Sequence, residues 1–205
     1  KAVKDIIECR TESLGGNILQ CETCGNKEYH YHSCGNRHCP RCQTLDRIAW
    51  VNARTNELLP VDYYHVVFTV PHLFNNLTLW NKKLLYSILF QATSETLKEV
   101  AERRLKIKIG LISVLHTWGQ DLSLHPHVHI IVPGGGISIK DEKKWISCKK
   151  GYLLPKEILT LVFRGKFLSL LEKAYPDLIL PKDHKELKNL RDRKNFKSLL
   201  IKAAK

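Results

Sequence analysis

Two stretches of the chain concentrate side chains that bind metals. Near the start, CETCG (21–25) and CPRCQ (39–43) each hold a Cys-x-x-Cys pair. Thiolates are soft ligands that favour zinc, and two such pairs supply the four sulfurs of a tetrahedral site: Cys21, Cys24, Cys39 and Cys42. Free buried cysteines or two disulfides are the plainer reading of the same residues. Cys9, Cys34, His38 and His32 remain, with His30 close by, and they suffice for a second zinc. Cys34, His38 and Cys39 are near enough in sequence for ligands to exchange between the two sites. Arg37 and Arg41 stand among these ligands, where they either meet phosphates or balance thiolate charge. Cys148 is alone and reads as an ordinary residue.

The second stretch is LHPHVHIIVPGGG (124–136). In an extended strand successive side chains alternate between faces, so His127 and His129 share one face and Val128 takes the other. Two imidazoles held this way can chelate a divalent cation, and Ile130, Ile131 and Val132 form the buried continuation that keeps them rigid. Cross-strand packing is the alternative use of such a pair. A third ligand must come from a neighbouring strand. Gln120, nearest the loop that returns to His127, is the first choice, followed by Asp121 and His116.

These residues need elements to position them. Thr44 as N-cap, an apolar side through Leu45, Ile48 and Leu58, and Pro60 at the end predict a helix over 44–60. YYHVVFTV (63–70) is a strand by its β-branched and aromatic content. One long helix or two joined ones cover 77–105. Strands follow at 109–118 and 128–132, and the Gly134–Gly136 turn leads to a partner strand at 137–139. Residues 145–147 extend the sheet. Helices are predicted over 156–174 and 183–204. This order implies an α+β fold whose mainly antiparallel sheet is flanked by helices. The chain divides into a zinc module (1–43), a connecting helix (44–60) and a main domain (61–205).

The 205 residues carry 33 Lys and Arg against 20 Asp and Glu, a formal charge of +13. Residues 1–57 contribute only +1, so nearly all of the excess lies in 58–205. A basic surface of this kind favours nucleic acid, and no apolar run is long enough for a membrane span. With no secretion signal and six of seven cysteines spaced like metal ligands, a reducing cytoplasmic setting is expected. No methionine is present.

The sequence resembles the rolling-circle insertion-sequence transposases of the His-hydrophobic-His (HUH) single-strand nuclease superfamily, in the branch with an N-terminal zinc-binding domain. The resemblance rests on CRTESLGG (9–16), SCGNRHCPRCQ (33–43), HVVFTVPH (65–72), LHTWGQDLSLHPHVHIIVPGGG (115–136) and FRGKFL (163–168). It implies a replication-initiator type of sheet with His127 and His129 on a central strand. Gln120 would complete a catalytic Mg or Mn site, beside one or two structural zinc ions. It also implies cutting of single-stranded or hairpin element ends through a 5′-phosphotyrosine. The family's tyrosine has no match before Lys205. Tyr175, at the end of the FRGKFL helix, is the candidate within the chain; the chain reads as part of a longer enzyme, inactive alone. Arg103, Arg104, Lys143, Lys144, Lys149, Lys150, Arg191, Arg193 and Lys194 are the expected phosphate contacts beside Arg37 and Arg41. Trp118 or Trp145 would stack a base, with a place in the core as the alternative for both. A homodimer is compatible with this reading. Two alternatives use the same residues: a DNA-binding regulator without nuclease activity, and an RNA-binding protein or a metal-dependent hydrolase.

Overall fold

The computed structural model describes residues 1–121 and 123–204, and the chain divides into two compact units at the Leu59–Pro60 junction. The first unit begins with helix α1 (Ala2–Glu8), followed by an antiparallel hairpin of β1 (Gly16–Gln20) and β2 (Lys27–Tyr31). A cysteine-rich loop then leads to helix α2 (Thr44–Asn56). Thr44 is already inside this helix, and its hydroxyl bonds back to the carbonyl of Pro40. The preceding turn therefore continues into the helix, and the N-cap expected at Thr44 falls on Gln43, which makes no side-chain cap bond.

The second unit is built on a three-stranded antiparallel sheet in the order β3 (Tyr63–Thr69), β6 (Leu124–Pro133), β5 (Ile112–Trp118). Alternation along these strands gives the sheet two unlike faces. Phe68, Val128, Ile130 and Val132 point inward and are nearly or completely buried. Val67, Val114 and Ile131, each about two-fifths exposed, point the other way, and the strand histidines share that open face.

Two helices cover the inner face. Between β3 and α4 (Lys82–Leu105) lies short α3 (Asn75–Trp80). In α4 the buried positions Leu85, Ile88, Leu89, Ala92, Leu97, Val100 and Ala101 follow the three-and-four spacing of a helix stripe. The one-or-two-helix question over 77–105 resolves at Asn81. Its buried side chain donates to the carbonyls of Leu77 and Ile179 and accepts from the Ile179 amide at 2.7 Å. This satisfies the groups exposed by the break and ties the joint to a distant segment. Lys106, in the left-handed conformation, ends α4.

Helix α5 (Lys156–Lys173) buries Leu159, Phe163, Phe167 and Leu171, one residue per turn. Phe163 packs on Phe68 at 4.8 Å between ring centroids and Phe167 on Phe74 at 5.7 Å. Each such buried side chain contributes roughly 1.5–3 kcal/mol. Lys166 reaches across to Glu99 (2.8 Å) and Glu95 (3.4 Å) on α4.

The predicted last helix is shorter than its sequence suggests. Residues 187–191 form a 3-10 turn, and α6 (Arg193–Ala204) starts afresh where the Asp192 carboxylate accepts the Lys194 amide at 2.8 Å. An aspartate one residue before a helix is a favoured cap, and it divides what periodicity alone runs together.

The glycine turn also has a different partner. β7 (Gly135–Ser138) does not fold back on β6 but pairs with β4 (Ile107–Lys108) and with β8 (Trp145–Ser147) in a second small sheet. Gly135 and Gly136 lie within that strand because a Cβ there would collide with the carbonyls of Ile146 and Lys108. Glycine serves close backbone approach here, not chain reversal.

Candidate metal centres and nucleic-acid interface

In the first unit, four cysteine sulfurs converge within 4.8 Å of one another: Cys9, Cys34, Cys39 and Cys42. Cys42 lies 3.5 Å from Cys9 and 3.6 Å from Cys34. These separations are far too long for disulfides. They are close to the edge of roughly 3.8 Å that Zn–S bonds of ~2.3 Å impose on a tetrahedron. The donor set and its spacing therefore fit zinc.

This grouping differs from the ligand partition read from sequence. Cys39 and Cys42 pair with Cys9 and Cys34, not with Cys21 and Cys24. The hairpin explains this. Arg10 donates its amide to the His32 carbonyl, and His32 donates to the Gly15 carbonyl, so the base of the hairpin holds Cys9 beside the chain that leads to Cys34. Cys21 and Cys24 sit at the hairpin's other end, five residue pairs and ~17 Å of strand away. They form a similar turn, with Gly25 bonded to the Cys21 carbonyl (2.8 Å) as Gln43 is to the Cys39 carbonyl (3.0 Å). His38 and His32 do not join the four sulfurs: His38 accepts from Arg37, and His32 is held at the hairpin base.

The four thiols are electrostatically unequal. The Cys42 amide, aided by the thiols of Cys9 and Cys34 and opposed by burial, brings Cys39 down to about 7. Against the pull of the Asn36 amide, burial and the thiols of Cys42, Cys9 and Cys39 push Cys34 up to about 12. Four adjacent thiolates repel one another, and a bound divalent cation would remove that conflict. Arg41 donates to the Cys9 carbonyl at 2.7 Å and so braces the cluster.

In the second unit the open sheet face gathers imidazoles. His127 and His129 project from β6, and His116 on β5 is directly opposite His127. Ring nitrogens of these three lie within 4.8 Å of one another, and the His116 and His129 centroids are 4.3 Å apart. Of the three candidates expected to join the pair, Gln120, Asp121 and His116, it is His116 whose ring nitrogen lies within 4.8 Å of theirs. Gln120 and Asp121 line the same open recess of about 640 Å³, with Trp118 and His125. The Asp121 carboxylate is held below its usual range by the Ser123 hydroxyl and amide.

Two local features aim the histidines. Between His116 and Trp118 the ladder slips, so His125 and Pro126 of β6 oppose the single residue Thr117. A bulge accommodates a proline, which cannot donate to the ladder. It also leaves the His125 carbonyl 2.6 Å from Nδ1 of His127. A carbonyl only accepts, so Nδ1 carries the proton and Nε2 keeps its lone pair for a cation. Burial, followed by the neighbouring His116, His127 and His65, holds the His129 imidazole below its ordinary value and favours the neutral ligand form. Three imidazoles around an open recess fit a divalent metal with positions left for substrate oxygens.

His65 and His72 were not singled out in the sequence. His65 contacts His129 and His72 contacts His125. Alternation in YYHVVFT puts His65 on the face opposite Phe68, a signal that becomes useful only once β3 is known to adjoin β6.

Tyr175 is placed elsewhere. Its hydroxyl donates toward the carbonyls of Leu190 (3.0 Å) and Arg191 (2.8 Å), and its ring packs on Phe196 beneath Arg193. It locks α6 to the end of α5. Arg103, Arg104, Lys143, Lys144, Lys149, Lys150, Arg191, Arg193 and Lys194 are all exposed; Arg103 also pairs with Glu99 at 2.8 Å. Trp118, 55% exposed, lies parallel to the His116 ring at the recess, whereas Trp145 is half-buried in β8 and bonded to Ser147. Among the described residues no helix is long and apolar enough to cross a membrane.

Two family models match the chain. One, described as a transposase zinc-binding domain, covers residues 1–70; the other, described as "Putative transposase", covers residues 110–205. Among curated proteins, "Putative transposase y4qJ" of Sinorhizobium fredii (strain NBRC 101917 / NGR234) is 49% identical over 169 residues, which is 82% of this chain and 42% of that protein. The "Transposase for insertion sequence element IS801" of Pseudomonas savastanoi pv. phaseolicola is 32% identical over 152 residues, 73% of this chain and 37% of that protein. The chain therefore spans about two-fifths of the length of these relatives. Among solved structures, the metal-bound complex of the conjugative relaxase TrwC with oriT DNA aligns with a TM-score of 0.42 at 12% identity, covering 53% of this chain and 42% of that one. A second structure of that complex gives 0.40 at 13% identity.

Proposed function

We propose, for a chain that belongs to the insertion-sequence transposases with an N-terminal zinc-binding domain, that it binds single-stranded or hairpin DNA ends and presents the scissile phosphate to a divalent cation. The observation that carries this reading is the convergence of His116, His127 and His129 on the open face of the central sheet. A cation there would polarise the non-bridging phosphate oxygens.

The chain's own residues would do the rest. The His125 carbonyl fixes the orientation and tautomer of His127. The exposed Trp118 offers a stacking surface for a base at the rim of the recess. Lys and Arg of residues 58–205 neutralise the phosphate backbone, which makes binding strongly salt-dependent. The four-cysteine cluster with bound zinc would hold the first unit folded. The nucleophile in this reading is a tyrosine outside the present residues, since the Tyr175 hydroxyl is committed to two backbone carbonyls.

A suicide oligonucleotide carrying a hairpin end tests the proposal. The chain should bind it, with tighter binding in Mg²⁺ or Mn²⁺ and loss of that metal effect in His127→Ala, and should form no covalent adduct. An adduct that disappears in Tyr175→Phe would place the nucleophile within this chain. Cleavage without an adduct would favour activated water, and metal-independent binding unchanged by His127→Ala would favour a DNA-binding regulator.

A further inference from the structure

His65 is absorbed by none of the roles above, yet it touches the cation site. Its Nε2 lies 2.7 Å from Nδ1 of His129. The two rings are nearly coplanar, at 9°, with centroids 4.9 Å apart. Because the centroid separation exceeds the nitrogen separation by about two ring radii, the contact lies in the ring planes. This is an in-plane hydrogen bond and not a face-on stack.

Strand register produces the contact. β3 runs antiparallel to β6 with Val67 opposite His129, so His65 sits diagonally beside His129 on the same open face. Diagonal neighbours on an antiparallel sheet are within reach of side chains of this length. Among the described residues, the set of ring nitrogens within 4.8 Å of one another contains His116, His127 and His129 but not His65.

We propose that His65 is a positioning residue that accepts the Nδ1 proton of His129 and so directs the Nε2 lone pair of His129 toward the cation site. For this, His65 carries its own proton on Nδ1. The two metal-facing histidines of β6 are then braced at the same ring atom, His127 by the His125 carbonyl at 2.6 Å and His129 by a second imidazole. The nitrogen that binds metal is set by the hydrogen bond the other nitrogen makes, and such partners govern metal affinity. The inference rests on the reading that His116, His127 and His129 hold the cation.

The test compares the 205-residue chain with His65→Phe and His65→Gln. Phenylalanine keeps a planar ring but offers no acceptor, whereas glutamine retains an amide oxygen. Circular dichroism checks that both variants fold. Two readouts are taken: the imidazole tautomer of His129 by long-range proton–nitrogen correlation in the metal-free chain, and Co²⁺ affinity by titration of its visible absorption. The expected result is a His129 proton on Nδ1 in the parent and in His65→Gln, and on Nε2 in His65→Phe. Co²⁺ affinity at the histidine site should fall ten- to a hundredfold in His65→Phe and recover largely in His65→Gln. Parent affinity in His65→Phe with the proton still on Nδ1 would overturn the proposal. Equal loss in both variants with an unchanged His129 tautomer would also overturn it, by making His65 a ligand in its own right. Should the parent bind no Co²⁺ at His127, the cation-site reading fails on its own account, while the tautomer comparison still decides the role of His65.

Discussion

The ligand partition in the first unit predicts sharply different outcomes for two superficially equivalent cysteines. Cys9→Ser removes a buried sulfur 3.5 Å from Cys42, inside the four-sulfur cluster. Cys24→Ser removes an exposed sulfur at the hairpin tip. A structural zinc contributes ~10–16 kcal/mol to folding in small domains, so one of four thiolates accounts for roughly 3 kcal/mol. At ~1.4 kcal/mol per tenfold change, Cys9→Ser should weaken zinc binding about a hundredfold. Serine oxygen is a harder and poorer ligand for zinc at this position. Cys24→Ser should leave the affinity of the cluster within about twofold, since it removes none of its sulfurs. Competition with a chelating indicator measures the affinity, and the thiolate-to-Co²⁺ charge-transfer band reports how many sulfurs remain bound. Near-parent affinity and a full charge-transfer band in Cys9→Ser, with loss of both in Cys24→Ser, would refute the partition.

Other outcomes follow from the same geometry. Folding stability should be higher at pH 7.5 than at 5.5 in metal-free buffer, measured by chemical denaturation. Burial first, then His116, His127 and His65, depress the His129 imidazole, so the folded state binds fewer protons; its contribution is complete above the ordinary 6.5 and is lost as the pH falls below it. His129→Ala should remove this dependence in part and abolish the metal effect on DNA binding. Phe167→Ala, at a site 2% exposed against Phe74 and Phe163, should cost about 3–5 kcal/mol in denaturant titrations. Asn81→Ala strips three hydrogen bonds from a buried joint and leaves the Ile179 amide without its acceptor, a loss of about 2–3 kcal/mol. Tyr175→Phe should cost only about 1 kcal/mol and leave DNA affinity at the parent value in filter binding.

The histidine pair was legible in the sequence because a strand has a period of two, and position alone puts residues 127 and 129 on one face. His116 and His65 were harder to read. Their place depends on which strands adjoin β6 and in what register, and the register on the β5 side is shifted by a bulge at Pro126. The grouping of the cysteines was hard to read for a related reason. Two Cys-x-x-Cys pairs are indistinguishable by spacing, and only the hairpin's closure at Arg10, Gly15 and His32 shows that Cys9 is near and Cys21 is far. The helices over 77–105 and 156–174 followed from periodicity, yet periodicity ran through Asp192, where a side-chain cap starts a new helix.

The closure at the hairpin base separates two kinds of sequence constraint. Residues 10–33 leave and re-enter the cluster at neighbouring points, and the loop they form is pinned by backbone bonds at its neck. Closing a loop of different length changes the entropy only slowly, so the hairpin behaves as a replaceable cassette on a fixed socket. A two-residue turn substituted at the tip for 21–26 should leave the socket's four sulfurs where they are. The tip can therefore vary in sequence without reworking the four-sulfur cluster beneath it.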